Sequence, residues 1–118
     1  MEKFTTLKEV DEHIYESSIL AAVIRALQTE QEIAAPATYD SMKQGGVWLL
    51  GPDDTDSTVS AVFGKPIMEL SFDGVRFDEN SDHFICYLVT ANSVCNTIVI
   101  PDKSWLSPEW RQHLISHQ

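Results

Sequence analysis

The feature that most constrains the fold is a pair of neighbouring segments, 83–90 and 94–100, that carry apolar residues on both faces when drawn as strands. A turn around 92–93 joins them into an antiparallel hairpin. In the expected register one face carries Ile85, Tyr87, Val89, Val94, Ile98 and Ile100, and the other carries Phe84, Cys86, Leu88 and Val99. Because both faces are apolar, we expect this hairpin in the middle of the structure, with helices over one face and a second layer or a partner subunit over the other.

Further strands are predicted before this hairpin. Residues 47–50 form a short buried strand closed by Gly51-Pro52, and 58–63 reads as the next strand. Residues 68–72 and 75–78 flank Asp73-Gly74, a sequence typical of a two-residue type I′ turn. That turn pairs Phe72 with Val75 and Leu70 with Phe77. The sequence therefore predicts an antiparallel sheet of about five strands, built from hairpins, over residues 47–100.

The N-terminal segment 1–36 is predicted to be helical. Thr6 and Glu9 match a capping box, and Pro36 ends any helix that precedes it. Apolar residues of the first half (Leu7, Val10, Ile14, Ala21) and of the second half (Ile19, Leu20, Val23, Ile24, Leu27) fall on nearly opposite sides of one helical wheel. Either the helix breaks near Ser17-Ser18, or its second half is buried all round. The second alternative favours a homodimer through residues 19–27.

The C-terminal segment 107–117 reads as a short helix. Ser107 suits the N-cap, Pro108 the first helical position and Glu109 the second. Trp110, Leu114 and Ile115 are expected to face the core. The whole chain, 1–118, is predicted to be one α+β domain with a helical N-terminus, an antiparallel sheet and this C-terminal helix.

Charge constrains function more than any motif does. The 118 residues include 18 Asp and Glu against 8 Lys and Arg, a formal net charge of −10. Such a chain repels phosphate backbones and anionic membranes and attracts basic surfaces. The sequence therefore argues against direct nucleic-acid or membrane binding and favours a basic protein as partner. Since 43% of the residues are hydrophobic, the acidity does not indicate disorder.

Three acidic groups are the candidate partner-binding residues. Glu2, Glu9, Glu12 and Glu16 are expected on one stripe of the first helix; Asp53, Asp54 and Asp56 lie in one turn; and Asp78, Glu79 and Asp82 lie in another. A solvated helix face is the plainer interpretation of the stripe. The functional hypothesis is a non-enzymatic binding or inhibitory protein that occupies a basic surface of another protein. In its stronger form the carboxylates stand in for DNA phosphates, so that the chain competes with DNA for a DNA-binding protein.

Candidate metal sites do not hold up. Asp78, Asn80 and Asp82 are spaced like the first ligands of a calcium loop, but the sixth position is His83 and the twelfth is Val89, where Gly and Glu are required. His113 and His117 have a spacing that can bind zinc, but the sequence marks no third ligand for them. We therefore expect no metal site and no cofactor.

The two cysteines are expected to be free thiols. The hairpin register above pairs Cys86 with Val99 and Cys95 with Thr90, which separates the cysteines by roughly 13 Å along the strands. A disulfide needs Cα atoms within about 7 Å. A nucleophilic site built from Cys95, His83 and Asp82 is not favoured over chance, and we predict that the protein is not an enzyme.

Two alternatives from other classes stay open. One is a small ligand-binding protein or enzyme with a pocket between the sheet and the N-terminal helices, where His83 and Tyr87 are the first polar groups to inspect. The other is a homodimeric assembly protein. The first six residues contain no apolar stretch typical of a signal peptide, and no run reaches the ~20 apolar residues of a membrane span, so cytoplasmic residence is the expectation.

Overall fold

The fold combines one mixed β-sheet with helices on both of its faces, which confirms the α+β class. A computed structural model describes residues 1–11, 17–34, 43–70, 72, 74–78, 83–90 and 94–116. The strands are β1 (Glu2–Phe4), β2 (Lys43–Leu49), β3 (Gly74–Asp78), β4 (His83–Thr90) and β5 (Val94–Ile100). The helices are α1 (Leu7–Asp11), α2 (Ser17–Ala34), α3 (Asp56–Phe63) and α4 (Pro108–Ile115), with 3₁₀ turns at Ile67–Glu69 and Lys103–Trp105.

The sheet has the order β1-β2-β5-β4-β3, so β5 of the apolar hairpin is its central strand and β4 lies next to it. The prediction of a purely antiparallel sheet is wrong at one position, since β2 runs parallel to β5. Strand β1 pairs antiparallel with β2 and lies inside the segment that was predicted to be wholly helical. Three residues are too few to show a strand period, although Phe4 is buried.

The hairpin of β4 and β5 has the predicted bounds, but its register differs by one residue. Cys86 lies opposite Ile98 and Cys95 opposite Val89. A slip of one residue exchanges the two faces of a strand relative to its neighbour. Phe84, Cys86 and Leu88 therefore share a face with Ile98 and Ile100, which corrects the predicted faces. The two cysteines are buried thiols on opposite faces of the sheet.

Two other strand predictions are wrong. Residues 58–63 belong to helix α3, which begins after Thr55 in a capping box with Thr58 and ends at Gly64 with φ 72°. These two helix-end signals outweigh the preference of the β-branched residues in this segment for a strand. The hairpin predicted on Asp73-Gly74 is also wrong, because a 3₁₀ turn at Ile67–Glu69 replaces its first strand and Leu70 and Phe72 belong to no strand. Strand β3 pairs with β4, Val75 lying opposite Cys86. Met68, predicted on the core face of that hairpin, is 52% exposed in the 3₁₀ turn.

Each face of the sheet has its own apolar core. One core lies under α1 and α2 and contains Phe4, Val10, Val23, Ala26, Leu27, Val47, Leu49 and Val99. The other lies under α3 and α4 and includes Val59, Leu70, Phe72, Phe84, Leu88, Ile98, Ile100, Leu106, Trp110 and Leu114. Helices α3 and α4 of the same chain thus cover one face of the hairpin. On the other face, Val99 of β5 lies in the core under α1 and α2, whereas Ile85 and Tyr87 of β4 are half-buried.

Helix α2 is not buried all round. Val23, Ala26 and Leu27 face the sheet, whereas Arg25 and Gln28 are exposed. The helix break was predicted near Ser17-Ser18; α2 starts at Ser17, and residues 12–16 before it lie outside the described residues. The homodimer through 19–27 stays a prediction. Across the described ranges, every helix is too short or too polar to cross a membrane.

The helix ends largely follow their predicted caps. Thr6 Oγ1 accepts a hydrogen bond from the Glu9 amide at 3.4 Å, and the Glu9 carboxylate accepts the amide of Thr5 at 2.9 Å. Ser107 Oγ accepts the Trp110 amide at 3.2 Å, as expected of an N-cap. Trp110 is buried in the core, while Ile115, predicted to face it, is 45% exposed.

Candidate functional site

The structure brings three of the predicted acidic residues to one cleft. Glu2 lies on β1 and therefore not on a helical stripe with Glu9, which corrects the prediction. Asp53 and Asp54 lie in the turn after β2, and the pairing of Glu2 with Leu49 places β1 beside that turn. Glu12, Glu16, Glu79 and Asp82, together with the side chain of Asp78, lie outside what the structure describes.

The cleft has a volume of about 400 Å³ and opens at the end of the sheet where β2 and β5 both finish. Its lining combines an apolar floor with a carboxylate rim. The floor is formed by Ile19, Leu49, Leu50, Pro101 and Trp105, and the rim by Glu2, Asp53 and Asp54. The lining contains three carboxylates and one cationic group, the amino group of Met1, which gives it a net charge of −2.

Asp54 fixes the shape of this rim. Its Oδ2 accepts the amide of Gly51 at 2.7 Å, and its carboxylate forms an ion pair with the Met1 amino group at 3.1 Å. Burial acts to raise the pKa of Asp54, but the hydrogen bonds from Gly51 and the amino group outweigh it and lower the pKa. Asp54 is therefore ionised at neutral pH, and its carboxylate already binds groups of the same chain.

Asp53 is the rim residue that projects outward. It is exposed, and within the described part of the chain its side chain makes no hydrogen bond or ion pair. The backbone beneath it is held by the bond from the Asp54 amide to the Gly51 carbonyl at 3.2 Å. A fixed turn thus presents a solvated carboxylate at the edge of an apolar cleft.

Two further predicted residues serve local structure. Asp56 accepts a hydrogen bond from the Ser107 hydroxyl at 2.6 Å, which joins the beginnings of α3 and α4. Hydrogen bonds from the amide and hydroxyl of Thr5 lower the pKa of Glu9. Neither side chain lines the cleft.

A buried carboxylate that the sequence analysis missed lies on α2. Glu30 is fully buried, and its two oxygens accept the hydroxyl of Thr97 at 2.6 Å and the amide of Gly46 at 3.0 Å. Burial raises the pKa of Glu30 to about 7, against the opposing effects of these two hydrogen bonds and of the Lys3 charge. The carboxylate therefore joins α2 to β5 and β2.

A β-bulge makes the Gly46 amide available to Glu30. The register of β2 against β5 shifts between Gln44 and Gly46, so Gly45 has no partner residue on β5. Gly46 has φ 137°, a conformation that L side chains rarely adopt. The signal in the sequence was the position of Glu30 three and four residues after Leu27 and Ala26, on the buried side of α2.

The residues named for other chemistry do not assemble into a site in the described residues. His83 is buried and Tyr87 half-buried, and neither lines the cleft. Burial raises the pKa of the Cys86 thiol well above its usual range. His113 Nε2 lies 3.1 Å from the Leu70 carbonyl oxygen, and its predicted zinc partner His117 is not described. The described ranges hold no cluster of three or more metal-ligating side chains.

Comparison with known proteins gives no relative for this chain. It matches no protein-family model, and neither the curated proteins nor the solved structures contain a significant match. The functional argument therefore depends on the residues themselves.

Proposed function

We propose that this protein is a non-enzymatic binding protein that engages a basic surface of a protein partner. The observation that carries the proposal is the acidic cleft, where Glu2, Asp53 and Asp54 border an apolar floor at one end of the sheet. A net charge of −10 adds a long-range attraction to any basic partner. An apolar floor with charged edges suits a protein interface, whose buried centre is apolar and whose rim is polar.

The position of the cleft also supports binding. It lies beyond the carboxyl ends of two adjacent parallel strands, β2 and β5. In open, mostly parallel α/β sheets ligands bind outside the carboxyl ends of the strands, and β2 and β5 supply one such parallel pair in this mixed sheet. The residues there come from β1, from the turn after β2 and from the segment after β5, so the surface depends on the whole fold.

In the stronger form of the proposal the partner is a DNA-binding protein whose basic surface the acidic chain occupies in place of DNA. The supporting observation is the excess of 18 acidic over 8 basic residues in a chain of 118. Competition by DNA separates this form from binding to any other basic protein, because phosphate backbones and carboxylates then contend for the same cationic groups.

The test is capture of partners from a lysate of the source organism on the immobilised protein, with washes at low and then high salt and with added duplex DNA. We expect a basic protein that is retained at low salt, released at high salt and captured less by the Asp53→Asn variant. The matched control is Glu32→Gln, which removes the same charge at an exposed position of α2 away from the cleft.

Each outcome has a definite meaning. Displacement by DNA supports the competing form, and retention in its presence rejects that form. If the wild type and both variants bind a partner equally well, the interface lies outside the cleft. No salt-sensitive partner at all would contradict the proposed function.

A further inference from the structure

The cleft is small and of mixed character, which limits what can occupy it. Its volume of about 400 Å³ lies at the lower end of the range for ligand pockets, roughly 300–1,000 Å³. That space suits one long side chain with its neighbouring backbone, rather than a helix. Ile19 and Trp105, both half-buried, offer apolar surface in the cleft, so a purely polar occupant would leave that surface unused.

We propose that the cleft binds an arginine side chain of the partner, an assignment that rests on the proposed function and names the group that function recognises. The three methylene groups of arginine pack on the apolar floor while the guanidinium reaches the rim. The rim supplies Asp53 and Glu2, and carboxylates form paired hydrogen bonds with a guanidinium. Charge complementarity selects a cation, because the lining has a net charge of −2.

Trp105 favours arginine over lysine. Its indole is half-buried in the apolar lining of the cleft, and guanidinium groups stack on aromatic faces more readily than ammonium groups do. Its backbone lies in a short 3₁₀ turn, Lys103–Trp105, that Asp102 caps by accepting the Ser104 amide at 2.8 Å, and the side chain packs against the core under α3 and α4. An aromatic side chain positioned before binding loses little conformational entropy when the ligand arrives.

The two aspartates of the rim differ in a way that fits an arginine occupant. Asp54 is already bound to the Gly51 amide and the Met1 amino group, so it shapes the turn. Asp53 is exposed and has no partner among the described residues, so its carboxylate can turn toward a guanidinium without breaking an existing bond. The proposal therefore depends chiefly on Asp53 and Trp105.

The probe is acetyl-Gly-Arg-Gly-amide, titrated into the ¹⁵N-labelled full chain and followed by NMR. We expect saturable shifts of the backbone amides of Gly51, Asp53 and Asp54 and of the Trp105 indole N–H. The same peptide with lysine should bind about threefold more weakly, because it lacks the planar stacking group. The peptide with citrulline keeps the shape of arginine without its charge and should bind at least about tenfold more weakly.

Variants locate the binding. Asp53→Asn should weaken the arginine peptide about threefold to fivefold, the size of effect that a partly exposed ion pair gives. Trp105→Leu keeps an apolar side chain in the cleft but removes the aromatic ring, so it should abolish the preference for arginine over lysine. Glu32→Gln should change nothing. The ¹⁵N spectrum of each variant reports whether the fold is kept, and Asp53→Asn, at an exposed position, is the variant least able to disturb it.

Failure of this inference can be told from failure of the proposed function. If the captured partner depends on Asp53 but the arginine peptide shifts no cleft resonance, the arginine assignment is wrong and the function stands. If citrulline binds as well as arginine, the charge argument is wrong. If the peptide binds at the cleft but no basic partner is captured, the assignment of the cleft stands and the proposed function fails.

Discussion

The buried carboxylate of Glu30 should make the stability of this protein depend on pH in an unusual direction. The informative perturbation is Glu30→Gln, which keeps the size of the side chain and removes its charge. The Gln carbonyl can accept the Gly46 amide, and its NH₂ group can donate to the Thr97 hydroxyl, so both existing contacts can be kept. The variant therefore tests the charge rather than the packing.

The magnitude follows from the pKa of Glu30, about 7 in the folded chain against an ordinary value of 4.5. Each tenfold difference in proton affinity corresponds to about 1.4 kcal/mol, which gives a total of about 3 kcal/mol. The folded state binds the proton more tightly, so between these two pH values it carries more protons than the unfolded chain. Stability from this group is therefore full below about pH 4.5, falls as the pH rises, and is lost above about pH 7.

The assay is urea unfolding of the wild type and of Glu30→Gln near pH 5 and near pH 8. Integrated between those conditions, the free energy of unfolding of the wild type should fall by about 2.5 kcal/mol relative to the variant. Taking the difference between the two proteins cancels the titration of the remaining carboxylates. Glu32→Gln is the matched control, because Glu32 is exposed on the same helix and should show no such difference.

A difference that stays constant to within about 0.5 kcal/mol across this pH range would refute the reasoning. It would mean that the folded chain leaves Glu30 with an ordinary pKa, so that water or a cation reaches the carboxylate. Should the variant fail to fold, the side-chain ¹³C resonance of Glu30 in the wild type gives the same information. Its midpoint is expected near 7, and a midpoint near 4.5 would contradict the burial argument.

Two further predictions concern the bulge and the last helix. Gly45→Ala should destabilise the protein by about 1–3 kcal/mol, because the added Cβ would lie 2.8 Å from the Cys95 carbonyl oxygen. Gly74→Ala is the control, because the nearest atom to its added Cβ would lie 3.7 Å away, and it should destabilise the protein less. Equal losses of stability in thermal unfolding would contradict the steric argument. Ser107→Ala should cost about 1 kcal/mol, since it removes the acceptor of the Trp110 amide. Ser107→Asp and Ser107→Asn both restore an N-cap acceptor. The Asp variant should regain less of the lost stability than the Asn variant, because its negative charge would lie beside that of Asp56.

Much of the fold could be predicted from local patterns. The hairpin of β4 and β5 was located to the residue, since apolar runs bounded by turn residues are a strong signal. The start of α4 followed from Ser107 and Pro108. The register of the hairpin was not fixed by these patterns, because both of its faces are apolar and a slip of one residue leaves each face equally hydrophobic.

The errors have a common physical origin. Helix α3 was predicted to be a strand because Thr58, Val59 and Val62 are β-branched, and the decisive signals, Thr55 before it and Gly64 after it, act only at its ends. The Asp73-Gly74 pair is typical of a hairpin turn, but the segment before it forms a 3₁₀ turn at Ile67–Glu69, and β3 pairs with β4 instead. Tertiary pairing outweighed a local preference in this segment.

The candidate site could not be derived from charge alone, because the positions of the carboxylates depend on a pairing that the sequence does not show. Glu2 and Asp53 are far apart in the chain, and they meet because Glu2 lies opposite Leu49 in the short strand β1. A three-residue strand has no period to detect, and its stability comes from Phe4 entering the core under α2. The same contact that buries Phe4 thus holds Glu2 at the rim. A change that weakens β1, such as Phe4→Ala, should therefore reduce both stability and the binding of a basic partner, whereas Asp53→Asn should reduce binding alone.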